Sequence, residues 1–123
     1  MRAALEDYAR HDSRIRLHFR AENGGIAAAT NSALTLATGE FTALLDHDDE
    51  LRPDALYHVA CEINAHPDAD LVYSDEDKIS PRGRRCDPYF KPDWNYDLFL
   101  SHNLITHLAV YRTGRLRAIG GFR

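Results

Sequence analysis

The apolar run from Phe41 to Leu45 passes directly into Asp46-His47-Asp48-Asp49-Glu50. A run this short suits a strand rather than a helix, and its bulky residues must be covered on at least one face. The carboxylates that follow must therefore leave a sheet together at one edge. Charges so crowded repel one another and oppose folding unless cations or hydrogen bonds compensate. Leu71-Val72-Tyr73 repeats the arrangement, with only Ser74 between it and Asp75-Glu76-Asp77. In open α/β sheets, ligands collect beyond the carboxyl ends of the strands, and both acidic groups fall at such ends.

The rest of the pattern alternates helix and strand signals. Ala4, Leu5, Tyr8 and Ala9 share one face of a helix over 3–11, and Ile15, Leu17 and Phe19 alternate with polar residues as in a strand. Asn23-Gly24-Gly25 breaks the chain before a small-residue helix over 26–37 that ends at Gly39. Pro53 suits a helix N1 position, and Leu56, Val59, Ala60 and Ile63 form the apolar stripe of that helix. Residues 80–93 read as loop, 94–100 as a short helix, 108–111 as a strand, and 113–119 as a helix before Gly120-Gly121. Alternating elements of this kind predict an α/β fold, a parallel or mixed sheet flanked by helices.

Composition narrows the function classes. The 123 residues carry 15 lysines and arginines against 19 aspartates and glutamates, a net charge of −4, which argues against nucleic-acid binding. No apolar run approaches the roughly 20 residues of a membrane span, and no apolar core of a signal peptide opens the chain. Cys61 and Cys86 read as free thiols of a reducing compartment, and the seven histidines lack zinc-type spacing. The length suits a single core.

Each motif has a plain reading beside a chemical one. Asp46, Asp48 and Asp49 can hold a hard divalent cation through one or two carboxylates, leaving room for water and phosphate oxygens. They can equally form a solvated turn at the start of the Pro53 helix, where negative charge is favourable. A calcium loop counted from Asp46 fails, because Leu51 and Tyr57 occupy the positions that need glycine and glutamate. The glycines before residue 26 could admit a phosphate at a helix N-terminus, or serve only as a strand-to-helix turn. Trp94, Tyr89 and Phe90 could stack on a sugar ring or close the core under the 80–93 loop. His102 and His107, flanking a candidate strand, read as core or surface histidines.

Taken in order, Asn23-x-Gly25-x-x-x-Ala29-x-Asn31, Ala37-Thr38-Gly39-Glu40-Phe41 and the strand ending in Asp46-x-Asp48-Asp49 resemble the family 2 glycosyltransferases. Tyr73-Ser74-Asp75-Glu76-Asp77-Lys78 and Pro88-Tyr89-Phe90-Lys91-Pro92-Asp93-Trp94 extend the resemblance to the rhamnosyltransferase-like branch of O-antigen and cell-surface polysaccharide assembly. The resemblance implies a GT-A fold and inverting transfer of a sugar from a UDP-, GDP- or dTDP-linked donor to a glycan or lipid-linked acceptor. It implies a Mn2+ or Mg2+ ion held by Asp48 and Asp49, with Asn23, Gly25, Asn31, Asp46 and Asp48 on the donor. Asp75, Glu76, Asp77, Lys91 and Trp94 would lie at the acceptor and sugar cleft. Thr30 departs from the family, in which many members carry arginine there.

By the same resemblance, residues 1–123 form part of the family's domain. The first nucleotide-binding strands are expected before it and the catalytic base beyond Arg123. A cytoplasmic location, at most peripheral to the inner face of the plasma membrane, is expected. The alternative is an inactive remnant that at most binds a metal, a nucleotide diphosphate or a protein partner.

Overall fold

A computed structural model describes residues 2–123. The chain divides into two compact units, one of residues 2–40 with 113–123, the other of residues 41–112.

The first unit holds α1 (Arg2–His11), α2 (Gly25–Leu34) and, from the end of the chain, the helix Thr113–Ala118. Residues 15–20, expected as a strand, pair with no other strand. Alternation alone cannot make a strand without a partner, and here two of the polar side chains reach α2 and its exit instead. Arg20 donates to the Ala28 carbonyl and Ser32 hydroxyl, and Arg16 donates to the Leu36 carbonyl. The second helix ends at Leu34, short of residue 37, because tighter bonds from Leu36 N to Ala33 O and Ala37 N to Leu34 O take over. Leu34, Thr113 and Leu116 are buried in this unit.

The second unit contains β1 (Phe41–Leu44), α3 (Ala55–Ala65), β2 (Leu71–Tyr73), β3 (Glu76–Ile79), β4 (Arg85–Tyr89), α4 (Tyr96–Ser101) and β5 (Ala109–Arg112); the Thr113–Ala118 helix is α5. Strand β5 lies between β1 and β2 and is antiparallel to both, so β1 and β2 run in the same direction. Leu44 and Tyr73, the last residues of those strands, both pair with Ala109, the first residue of β5. Leu104, Ile105, Leu108, Ala109 and Val110 are buried, which makes β5 and its approach the centre of the unit. Arg112 fixes the far end of β5 by donating to the Pro67 and Ala69 carbonyls and lying 4.6 Å from the Phe41 ring centroid.

Two local expectations change. Residues 80–93 are not simply loop: β3 and β4 form an antiparallel hairpin turned at Gly83, whose φ of 71° suits glycine. All five β4 residues are exposed, so no apolar alternation announces the strand. Pro88 is tolerated because this is a two-stranded ribbon with a free edge. Pro53 lies one residue before the N-cap Asp54 rather than inside α3. Of the expected apolar stripe, Val59 and Ile63 are half-buried, whereas Leu56 and Ala60 face solvent.

Candidate functional site

The register of the three-stranded sheet places the site. Because β5 runs against both neighbours, the residues just before it meet the residues just after β1 and β2. Asp46 lies two positions past Leu44, Asp75 two past Tyr73, and His107 two before Ala109. His107 therefore stands at the register position between the two acidic ends. The Asp49 amide donates to the Asp46 carbonyl at 3.2 Å, a turn that brings their side chains together. Ligand atoms of Asp46, Asp49 and His107 all lie within 4.8 Å of one another. His107 Nδ1 is 3.0 Å from Asp49 Oδ2. Asp48 stands apart, three-quarters exposed, with its carboxylate 3.7 Å from His47 Nδ1.

Two carboxylates and an imidazole from separate segments, all open to solvent, form a donor set that fits a divalent cation. The cation ligands expected from the sequence were Asp48 and Asp49; the atoms that converge belong to Asp46, Asp49 and His107. Sequence reasoning missed His107 because no spacing motif connects it to the aspartates. The signal that finds it is the antiparallel register, available only once the strands are paired.

Next to this cluster opens a cavity of about 1110 Å³, lined by Asp48, Asp49, Asp77, Arg85, Trp94 and His107 among others. Asp75 accepts the Lys91 backbone N–H at 2.8 Å, and Glu76 Oε2 binds the Lys91 ammonium at 2.8 Å. That ammonium also donates to the Thr106 and His107 carbonyls, and the Lys91 side chain is 1% exposed. Asp77 takes a bidentate pair from Arg85 at 2.7 and 2.8 Å, which holds its carboxyl below the ordinary aspartate range. Arg52 binds Asp54 in the same manner at the cavity wall, with the same effect on Asp54. Trp94 is 53% exposed, its ring 5.0 Å from that of Phe99, and Phe90 is 75% exposed, so neither closes a core.

Three expected donor residues belong to the first unit. Asn23 Oδ1 accepts from Gly25 N at 3.0 Å, an Asx turn that starts α2. Gly25 adopts φ 80°, and a Cβ there would meet nothing within 4 Å; backbone conformation is what asks for glycine. Asn31 donates from Nδ2 to the Phe122 carbonyl and accepts from the Phe122 amide, both at 2.8 Å. Its amide thus pairs with backbone as a strand neighbour would.

An α/β sheet whose parallel-running strands end in carboxylates, beside an open cavity, defines a class of proteins that bind a ligand at a strand-end cleft. The family model for Glycosyl transferase family 2 matches residues 1–120, and the chain belongs to that family, which implies the GT-A fold. It is 52% identical over 119 residues to the uncharacterized protein y4gI of Sinorhizobium fredii, covering 97% of this chain and 13% of that protein. It is 39% identical over 119 residues to the O-antigen biosynthesis protein RfbC of Myxococcus xanthus, covering 97% of this chain and 9% of that protein. Over 101 residues it is 28% identical to the chondroitin synthase of Pasteurella multocida, covering 81% of this chain and 10% of that protein. The chain thus spans about a tenth of the length of these curated relatives. Among the described residues, no helix is long and apolar enough to cross a membrane.

Proposed function

We propose that the chain forms the diphosphate and metal centre of an inverting glycosyltransferase that builds a cell-surface polysaccharide at the cytoplasmic side of the membrane. The observation that carries this reading is the convergence of Asp46, Asp49 and His107 beside the cavity in a chain of this family. Asp46 and Asp49 would hold a divalent cation with His107. The imidazole nitrogen favours Mn2+ over Mg2+, which prefers oxygen ligands and retained water. When bound, the cation supplies charge neutralisation for the donor diphosphate as it leaves.

The chain's own residues arrange the rest. Asp48, exposed beside the cluster, would accept a hydrogen bond from the donor ribose. The Asp77–Arg85 pair offers acceptor and donor atoms to sugar hydroxyls, and the exposed Trp94 offers an apolar face to a sugar ring. Transfer requires an acceptor hydroxyl to attack the anomeric carbon while the bond to the diphosphate breaks. A base must take the hydroxyl proton as the new bond forms. The donor under this reading is a sugar linked to UDP, GDP or dTDP, with rhamnose the sugar the branch resemblance implies.

Calorimetric titration of the chain with each nucleotide diphosphate, with and without Mn2+, tests the proposal. Manganese-dependent binding of one nucleotide, lost in Asp46→Asn, is the expected result. Binding that ignores both the metal and the substitution would overturn it. Transfer assays with sugar derivatives of the bound nucleotide then separate a working transferase from a binding module.

A further inference from the structure

The geometry points to Lys91 as a positioning residue: paired with Glu76, it sets the His107 segment against Asp49 and thereby tunes cation affinity. The resemblance implies Lys91 at the sugar cleft, and it lines the cavity wall, but its side chain is 1% exposed and its ammonium is already held by three protein partners. All three of its bonds point inward, to Glu76 Oε2 and to the carbonyls of Thr106 and His107. A buried ammonium requires such saturation, since an unpaired donor or charge in that position is costly.

What the three bonds join is the informative part. Glu76 begins β3, immediately after the acidic end of β2, and Thr106-His107 leads into β5. The Lys91 backbone N–H, donated to Asp75, ties the same segment a second time. Leu108 completes the lock: its N–H donates to Ser74 Oγ, and its carbonyl accepts from Ser74 N. His107 is therefore gripped by its carbonyl on one side and by its neighbour's peptide groups on the other. Its imidazole is left to lie 3.0 Å from the Asp49 carboxylate. A half-exposed imidazole on a loop has many rotamers and loop conformations open to it. Fixing the backbone that bears it removes part of the entropy cost of ligation, the general basis of support by residues behind a ligand.

This inference rests on the metal reading above, and its test keeps the two apart. Mn2+ binding to the 123-residue chain is measured by calorimetry for the wild type, Lys91→Met/Glu76→Met, His107→Ala and the combined triple variant. Replacing both partners with methionine avoids stranding a buried charge, and circular dichroism with a thermal melt confirms that each variant folds. The expected result is a loss of about tenfold in Mn2+ affinity for Lys91→Met/Glu76→Met and for His107→Ala. The triple variant should lose no more than His107→Ala alone, because the pair acts through His107. Unchanged affinity in the folded methionine variant, or additive losses in the triple, would overturn the positioning role while leaving the metal site intact. A wild-type chain that does not bind Mn2+ would overturn both.

Discussion

His107 Nδ1 lies 3.0 Å from Asp49 Oδ2, although 57 residues separate them and neither belongs to a regular element. The contact follows from the antiparallel placement of β5 between β1 and β2, which puts the entry to β5 at the exits of both neighbours. Two carboxylates close together gain from a positive or coordinating third partner, and the fold delivers one from a distant part of the chain.

The three members of the cluster should differ from Asp48 when substituted. Asp46→Asn and Asp49→Asn are each expected to weaken Mn2+ binding by at least ~10-fold, as loss of a ligand does. Asp48→Asn should leave Mn2+ affinity nearly unchanged and lower affinity for the nucleotide diphosphate in the presence of metal. Parallel titrations with metal alone and with metal plus nucleotide check both statements.

The hairpin carries an acid-sensitive pair. Arg85 lowers the Asp77 pKa through its bidentate hydrogen bond, so the folded value lies below the ordinary 3.8. The stability this pair contributes is complete above that ordinary value. It is lost as pH falls through the lowered folded value, where Asp77 takes up a proton. Arg85→Ala should remove this part of the acid dependence, read as a flatter loss of β3–β4 amide protection below pH 3.8.

Leu104 is fully buried at the approach to β5. Leu104→Ala removes three carbons and leaves a cavity, with an expected loss of about 2–5 kcal/mol in urea unfolding. The exposed Leu56→Ala, on α3, should stay within ~0.5 kcal/mol of wild type.

Asn31 links α2 to Phe122 through two hydrogen bonds of 2.8 Å. Asn31→Ala removes both of these hydrogen bonds in a half-buried position and should cost about 1–3 kcal/mol. A Cβ at Gly121, whose φ is 84°, would collide with Asn31 Oδ1. Gly121→Ala should therefore destabilise the same contact, and thermal melts of both variants are the check.

The candidate site was only partly legible. Asp46 and Asp49 stood out because a short apolar strand that runs into aspartates must expose them at a sheet edge. Lys91 is placed at the acceptor and sugar cleft by the resemblance alone, and no local pattern shows that its ammonium is bonded to Glu76 and to the Thr106 and His107 carbonyls. Asn23 and Asn31 read as donor contacts, and the structure shows both side chains committed to backbone groups of the first unit. The β3–β4 hairpin was invisible, because a ribbon with an exposed second strand has no buried face to impose alternation.

The sequence by itself determined the alternation of helix and strand from residue 41 to 73, the acidic strand ends and the family, all of which depend on local pattern. Tertiary structure alone decided that β5 inserts antiparallel between β1 and β2. It also decided that His107 joins the aspartates and that Lys91 anchors it from behind. Those outcomes depend on which strands pair and in what register. That choice is made by burying Leu108, Ala109 and Val110 at the centre of the sheet, a property of the whole unit rather than of any segment.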